Sequence, residues 1–310
     1  MEFFEGSVTD RADWDALAAT DGGKFTHIVS GAALTPTASE EQAAGGISAI
    51  LSVNLLGLMN CLEFALGHGA DSCRFISISS GAIYRHAGLV RPRAEGETVP
   101  SSMEMYTLTK FAGEQLVARF ADLHGLDCTC VRPSNVFGRM DRDTGARNRH
   151  NSPYWVCTRA AASQAVVVSG GLDAVGGEHT SVVDLAAAIV AILRAQTAPR
   201  RRVYHIGLGR PVKHREILEA VFACVPSKET ASLGELIEAG AIELIAPTDD
   251  STFVNDGGRV HLDPLDATTH PLCSTDADVR AVVDISALAG ACIRLSNDLF
   301  AVEIPQTGAD

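Results

Sequence analysis

Tyr106 and Lys110 are the residues whose types and spacing are best suited to chemistry, because they lie four positions apart in a long helical pattern. Residues four apart share one face of a helix, so the phenol and the ammonium are expected to be neighbours. A phenol has a pKa of about 10, and a nearby positive charge favours its ionised form. Such a tyrosine can exchange a proton with a hydroxyl or carbonyl group. By itself the spacing is weak evidence, because it occurs often by chance and an exposed pair on a helix would show it too.

A serine 26 residues before this tyrosine strengthens the interpretation. Ser79 and Ser80 follow a predicted strand and precede Gly81 and Ala82. Ligand sites of open parallel sheets lie at the carboxyl ends of the strands. Ser80 can therefore hydrogen-bond the same substrate oxygen whose proton Tyr106 exchanges, although a serine of an ordinary turn would give the same pattern.

The elements that must position these residues alternate between strand and helix. Strands are predicted at 25–29, 75–79, 127–131, 166–168, 180–183 and 203–206, and long helices at 47–66 and 104–124. Asp184 is expected to cap a further helix that runs to residue 195. This alternation is typical of βαβ units, so we predict an α/β fold with a Rossmann-like, doubly wound parallel sheet.

After Gly209 the pattern changes to short helices at 213–225 and 233–239, and a loop is expected at 246–269. We assign residues 1–138 and 175–209 to the Rossmann-like domain. Residues 139–174 and 210–310 are expected to form a small C-terminal substrate lobe.

Composition narrows the class of protein. The chain has 310 residues, of which 46% are hydrophobic, and a net charge of −13. This balance argues against nucleic acid and anionic membranes as partners. The longest apolar run, at 185–193, is too short to span a bilayer, and the N-terminus does not resemble a signal peptide, so we expect a cytoplasmic protein. The eight cysteines show no C-x-x-C motif and are interpreted as buried thiols, with metal ligation and disulfides as less favoured alternatives.

Several further motifs accompany the Tyr/Lys pair, and together they carry a resemblance. They are Asn54-Leu55-Leu56-Gly57, Ser79-Ser80-Gly81-Ala82-Ile83-Tyr84, Gly113-Glu114 after Lys110, Arg132-Pro133-Ser134-Asn135-Val136-Phe137-Gly138, Val182-Val183-Asp184 and Tyr204-His205-Ile206-Gly207-Leu208-Gly209. From about residue 5 to residue 209 the chain resembles an extended short-chain dehydrogenase/reductase of the NAD-dependent epimerase/dehydratase type.

The resemblance implies a set of site residues and partners. Ser80, Tyr106 and Lys110 would be catalytic. NAD or NADP would be bound by Asp10, Ala32 and Asn54 together with Tyr106 and Lys110, and the substrate by Ser80, Gly81, Asn135 and Arg142. No metal is implied. The long helices around 47–66 and 104–124 would form the interface of a homodimer.

The chain departs from the family at the cofactor site. Relatives begin with a strand, a G-x-x-G-x-x-G turn and a helix that hold the diphosphate, and this first βαβ segment is missing from the sequence. Ser7 stands where the family has an aspartate. We therefore expect cofactor binding by these residues to be weak, and this leaves the assignment as an enzyme open.

The residues after Ser80 bear on the reaction. The family's dehydratases carry acidic residues at the places of Gly81 and Ala82. The sequence therefore favours an NAD(P)-dependent epimerase or oxidoreductase acting on a nucleotide sugar or related sugar. Arg142 belongs to an arginine-rich segment, 139–149, that could bind an anionic substrate or be a solvated loop. The alternative is a truncated, non-catalytic relative that retains the fold and the dimer surface.

Overall fold

The computed structural model describes residues 3–20, 25–35, 41–69, 73–84, 104–138, 141, 152–195, 202–225, 228–246 and 261–262. The helices are α1 (Arg11–Ala19), α2 (Gly46–Leu51), α3 (Gly57–Gly67), α4 (Met105–His124), α5 (Ser152–Ala161), α6 (Val182–Arg194), α7 (His214–Phe222) and α8 (Leu233–Glu238). The strands are β1 (His27–Ser30), β2 (Arg74–Ile78), β3 (Asp127–Pro133), β4 (Asn135–Phe137), β5 (Val166–Ser169), β6 (Val175–Gly177), β7 (His179–Ser181), β8 (Val203–Ile206), β9 (Val212–Lys213), β10 (Ile242–Ile245) and β11 (His261–Leu262).

The central sheet has the order β1-β2-β3-β8, and all its pairs are parallel. Neighbouring residues of β2 point to opposite faces. Phe75 lies in a core cluster with residues of α3 and α4, whereas Ile76 lies in a second cluster with residues of α6. Helices therefore cover both faces of the sheet, and the predicted α/β fold with a doubly wound parallel sheet is confirmed.

A third core cluster lies among the later elements. It contains Phe137 and residues of α5, α7 and α8, together with Val166 and Ile242 from the parallel pair β5 and β10. The short strand β11 pairs with the other side of β5. The expectation of loop at 246–269 is therefore wrong at His261–Leu262, which form part of this three-stranded sheet.

The first long predicted helix contains an irregular turn. Residues Ser52–Leu56 form a π-helical turn between α2 and α3. Such turns insert one extra residue per turn and occur frequently at functional sites. The apolar periodicity of the sequence predicts the helix but not this local change.

The start of α6 differs from the sequence expectation. Ser181, not Asp184, is the N-cap residue, and its hydroxyl accepts a hydrogen bond of 3.2 Å from the Val183 N–H. The predicted strand at 180–183 therefore ends at Ser181. Asp184 lies in the first turn instead, where its negative charge interacts favourably with the positive N-terminal end of the helix dipole.

Gly125 and Gly113 fix the end and the packing of α4. Gly125 follows the last residue of α4 with φ 70°, and its N–H donates to the Ala121 carbonyl, which is a common way for a helix to end. A Cβ on Gly113 would lie 2.9 Å from Leu58 Cδ2, so glycine allows α4 and α3 to approach closely.

One helical stretch within the described residues, Gly46–Gly67, is long and apolar enough to cross a membrane. The prediction that 185–193 is the longest apolar run did not take this stretch into account. Leu62 and Ala65 are fully buried in the core cluster against the sheet, and we therefore assign the stretch to the core of the fold.

The buried thiols follow the alternation of β3. Cys128 and Cys130 lie on the same face of the sheet, in the cluster that includes Cys61 and Cys73, as their spacing predicts. The cysteines among the described residues are free thiols. Burial raises the pKa of Cys61 and Cys128 to about 12, so both are neutral at physiological pH.

Candidate functional site

Lys110 connects α4 to the carboxyl end of β2. Its Nζ donates a hydrogen bond of 2.7 Å to the Ile78 carbonyl, at the last residue of the strand. The same Nζ lies 5.9 Å from the centre of the Tyr106 ring. The phenol and the ammonium are thus neighbours, as the four-residue spacing predicts, and the structure adds the contact of the ammonium with the strand end.

The environment of Lys110 makes its charge sensitive to pH. The residue as a whole is partly exposed, but its ammonium end lies in the interior. Burial lowers the pKa of Lys110 from 10.5 to about 8, while the nearby Cys130 and Glu114 act in the opposite direction. The ammonium form therefore predominates only at neutral or lower pH.

Ser80 lies two residues after the carbonyl that receives this ammonium. Its Oγ accepts a hydrogen bond of 3.1 Å from the Ala82 N–H. Gly81 begins a 3₁₀ turn that ends at Tyr84. The local bond fixes the serine at the start of this turn, and both Ser80 and Gly81 are partly exposed.

Asn54 joins α4 to the loop after β1. Its Oδ1 accepts from the Leu34 N–H at 2.8 Å, and its Nδ2 donates to the Leu34 carbonyl at 3.1 Å and to Thr109 Oγ1 at 3.0 Å. Thr109 Oγ1 in turn donates to the Tyr106 carbonyl. The π-helical turn presents Asn54 to these partners. The loop that it holds, 31–35, contains the exposed Ala32, one of the residues expected to contact the cofactor.

The other predicted site residues are placed less directly. Asp10 is the N-cap of α1, where its carboxylate accepts from the Ala12 N–H at 2.9 Å. Asn135, in β4, donates from Nδ2 to the Glu178 carbonyl at 2.9 Å. Both side chains therefore have structural roles, and their contacts with ligands remain predictions. Arg142 lies outside the described residues.

A buried ionic network beneath Lys110 was not predicted. Glu114 and Arg132 form a bidentate pair, with Nε–Oε1 and Nη2–Oε2 distances of 2.7 and 2.6 Å. Glu114 also accepts from the Ser79 hydroxyl at 2.5 Å.

The network extends further on the side of Arg132. Arg132 Nη1 donates to the Tyr84 hydroxyl, which lies 3.1 Å from His205 Nε2. The available signal was the repetition of Tyr106, Lys110 and Glu114 at intervals of four along α4.

A nicotinamide dinucleotide needs partners at two places, its reactive end and its diphosphate. The reactive end is fitted, because a buried ammonium lies beside a phenol at the carboxyl edge of the sheet. A diphosphate is usually held by the N-terminus of a helix behind a glycine-rich turn. The sequence contains no G-x-x-G-x-x-G motif. The residues present therefore fit the reactive end of the cofactor but not its diphosphate.

The fold and the site together define a Rossmann-like α/β protein with a Tyr/Lys pair at the carboxyl ends of its strands. The profile of the NAD dependent epimerase/dehydratase family matches residues 1–207. The chain therefore belongs to this family, as the sequence motifs indicate.

The chain is similar to several characterised proteins. It is 27% identical over 178 residues to GDP-6-deoxy-D-mannose reductase from Pseudomonas aeruginosa, covering 54% of each chain. The chain thus spans about half the length of this relative. In structure it is similar to UDP-glucose 4-epimerase with UDP-glucose from Thermotoga maritima, with TM-score 0.68, 18% identity and coverage of 94% of this chain and 82% of the other.

A second solved structure gives the same fold. The protein RMD from Pseudomonas aeruginosa, complexed with NADPH, is similar with TM-score 0.63 and 17% identity. The comparison covers 94% of this chain and 88% of the other. At this level of identity the two structural comparisons establish the fold.

Proposed function

We propose that this protein is an NAD(P)-dependent epimerase or oxidoreductase that acts on a nucleotide sugar or related sugar. The observation that carries the proposal is the buried Lys110 ammonium, held between Tyr106 and the end of β2. The family membership supports a nicotinamide cofactor, and the similarity to a GDP-6-deoxy-D-mannose reductase supports a sugar nucleotide as substrate.

In the proposed reaction, the residues of this chain handle the proton of a sugar hydroxyl. The positive charge of Lys110 favours the ionised phenol of Tyr106, which accepts the hydroxyl proton. Ser80 donates a hydrogen bond to the same sugar oxygen and holds it in place. When bound, the nicotinamide ring supplies the hydride acceptor and donor.

Epimerisation and simple oxidation or reduction differ in the fate of the keto sugar. In an epimerase the keto sugar turns over within the site and Tyr106 returns the proton to the inverted alcohol. In an oxidoreductase the keto sugar leaves or enters as the second substrate. Gly81 and Ala82 provide no carboxyl group after Ser80, so elimination of water, which needs an additional acid and base, is the less favoured reaction.

A screen with Tyr106→Phe tests this proposal. The chain is incubated with NAD⁺ or NADP⁺ and a panel of UDP- and GDP-linked sugars, and turnover is followed by absorbance of the reduced cofactor and by NMR of the sugar. We expect turnover to fall by about 100-fold or more in Tyr106→Phe. Tyr204→Phe, which removes a phenolic hydroxyl buried on β8 of the central sheet, is the matched control and should retain activity. Equal turnover in wild type and Tyr106→Phe would contradict the proposed role.

The second candidate is a non-catalytic member of the family that keeps the fold. Ser7, which stands where the family has an aspartate, favours it, because a carboxylate contact with the cofactor would be lost. It predicts no turnover with any sugar in the screen, even in the wild-type chain.

We further propose that the protein is a cytoplasmic homodimer. Leu51, Leu56 and Leu108 are each about two-fifths exposed, at 38%, 40% and 45%. They lie on the helical segments that the resemblance to the family implies as the dimer interface. Burying such side chains against a second copy would remove apolar surface from water. Light scattering should give twice the chain mass of 32.6 kDa, and a monomer at micromolar concentration would contradict this assembly.

A further inference from the structure

The helix that carries the candidate site has a third polar residue on the same face. Tyr106, Lys110 and Glu114 follow one another at intervals of four along α4, so they form a row from the start of the helix toward its middle. Tyr106 and Lys110 are partly exposed, whereas only 4% of Glu114 is accessible to solvent. The row therefore runs from the candidate site into the interior.

The charge of Glu114 is balanced by an equally buried partner. Arg132 of β3 is 4% exposed and binds both carboxylate oxygens. Removing two ions from water is costly, and a buried pair is often replaceable by apolar residues without loss of stability. Stability alone therefore does not account for the presence of this pair beneath the site.

Residues of this row on α4 form hydrogen bonds with the end of β2. The Ile78 carbonyl accepts from Lys110 Nζ at 2.7 Å, and the Ser79 hydroxyl donates to Glu114 Oε1 at 2.5 Å. Ser80, the candidate substrate-binding serine, comes directly after them. Two residues of α4 thus hold two neighbouring positions of the strand end, one through its main chain and one through its side chain.

Through contacts of Arg132 with Tyr84, the same network extends from β3 to β8. Its guanidinium lies 5.2 Å from the centre of the Tyr84 ring, and the Tyr84 hydroxyl contacts His205 of β8. Tyr84 ends the 3₁₀ turn that begins after Ser80. Both ends of the segment 79–84 are consequently attached to the Glu114–Arg132 pair.

We propose that Glu114 is a positioning residue, whose carboxylate ties the end of β2 to α4 through Ser79 and Arg132 and so holds the Lys110 ammonium and Ser80 in place. This inference rests on the proposed function. Among the described residues, the titratable groups that contact or act on Lys110 are Tyr106 and Glu114 on its own helix and Cys130 on β3. Because the Cys130 thiol is neutral through burial, which raises its pKa, the Glu114 carboxylate is the negative charge that favours the ammonium.

Lysine NMR tests the electrostatic part of this role without cofactor or substrate. The chain has four lysines, Lys24, Lys110, Lys213 and Lys228, so the ¹³Cε signals of lysine-labelled protein can be assigned with Lys110→Arg. In the wild type Lys110 should titrate near its lowered pKa of about 8. Glu114→Gln should move this midpoint to lower pH, because the negative charge is removed.

Asp122→Asn is the matched control for this titration. Asp122 is on the same helix and pairs with Arg202 at 2.5 Å, but this pair is exposed. Its removal should leave the titration of Lys110 unchanged. An unchanged Lys110 midpoint in folded Glu114→Gln would overturn the proposal, because a carboxylate with only a structural role would not influence the ammonium.

Ser79→Ala provides a second test that keeps both Glu114 and Arg132, and it decides the proposal if Glu114→Gln does not fold. Hydrogen–deuterium exchange of residues 78–82 should become faster in Ser79→Ala. Ser77→Ala, a change of a buried serine two residues earlier on β2, is the control and should leave this exchange unaltered. If residues 78–82 exchange at the same rate in Ser79→Ala and Ser77→Ala, the proposed attachment of the end of β2 to Glu114 is overturned. Neither measurement needs a cofactor. A failure of the proposed enzyme activity can therefore be distinguished from a failure of the positioning role of Glu114.

Discussion

Lys110 is the single residue on which the candidate chemistry depends most, because its charge acts on Tyr106 and its hydrogen bond reaches the strand end. Burial lowers its pKa from 10.5 to about 8. The protein therefore carries a destabilised ammonium at neutral pH, as is common where a site is built for function. The charge that favours the Tyr106 phenolate is lost as the pH rises through 8.

This lowered pKa has a measurable effect on stability. Between about pH 8 and 10.5 the unfolded chain binds more protons at Lys110 than the folded protein does, so the free energy of unfolding rises with pH in this window. We expect the difference in unfolding free energy between wild type and Lys110→Met to increase, in favour of the wild type, by on the order of 2 kcal/mol from about pH 7 to about pH 10.

Denaturant unfolding of both proteins at the two pH values measures this difference. Both proteins are also measured with Tyr106→Phe, which removes the phenol beside Lys110, and the titrations of the remaining tyrosines and cysteines are common to both and cancel in the comparison. A difference that does not change with pH would mean that Lys110 has an ordinary pKa and that its ammonium is not buried.

At the scale of elements, hydrogen bonds of Asn54 connect the π-helical turn both to α4 and to the loop that comes after β1. Asn54 makes three hydrogen bonds there, two to the main chain of Leu34 and one to Thr109. An apolar residue of similar size would leave the Leu34 N–H and carbonyl without these partners. A buried polar group that loses its partner costs about 1–3 kcal/mol.

We therefore expect Asn54→Leu to lower the free energy of unfolding by about 3 kcal/mol. Asn60→Leu is a suitable comparison, since Asn60 is buried on the neighbouring helix α3 but makes one such bond, of 3.0 Å to the Val8 carbonyl. Its loss should cost about 1 kcal/mol. If chemical denaturation shows equal destabilisation in Asn54→Leu and Asn60→Leu, the three hydrogen bonds of Asn54 contribute no more to stability than the single bond of Asn60.

The order of the elements was predictable from the sequence, but several local features were not. The alternation of apolar runs and helical patterns predicted β1, β2, β3 and β8 and the two long helices, because burial imposes these periods on the sequence. The cap of α6 was misassigned to Asp184, since Ser181 and Asp184 both have side chains that can cap. The period of 3.6 residues also hides the π-helical turn at Ser52–Leu56.

The candidate site was predictable only in part for a similar reason. The spacing of Tyr106 and Lys110 revealed a shared helix face. The burial of Glu114 was not visible, because a glutamate in a helix usually faces solvent. Its partner Arg132 is distant in the sequence and lies on a strand, so tertiary structure was needed to bring the two together.

At the scale of the whole molecule, the chain combines the fold of its family with a candidate Tyr/Lys site at the carboxyl ends of the strands. The family profile matches residues 1–207, and the parallel sheet and the helices that cover it have the expected arrangement. The sequence nevertheless carries no glycine-rich turn for a diphosphate. We therefore expect a weak but specific attachment of the cofactor, dominated by its reactive end.

Titration of NADH and NADPH into the 310-residue chain tests this central claim most directly. Binding can be followed by energy transfer from Trp14 and Trp155 to the reduced nicotinamide. We predict weak, saturable binding of at least one cofactor, and a loss of about tenfold or more in affinity in Lys110→Met, equivalent to about 1.4 kcal/mol. The absence of binding at millimolar cofactor, or binding that Lys110→Met leaves unchanged, would contradict the claim.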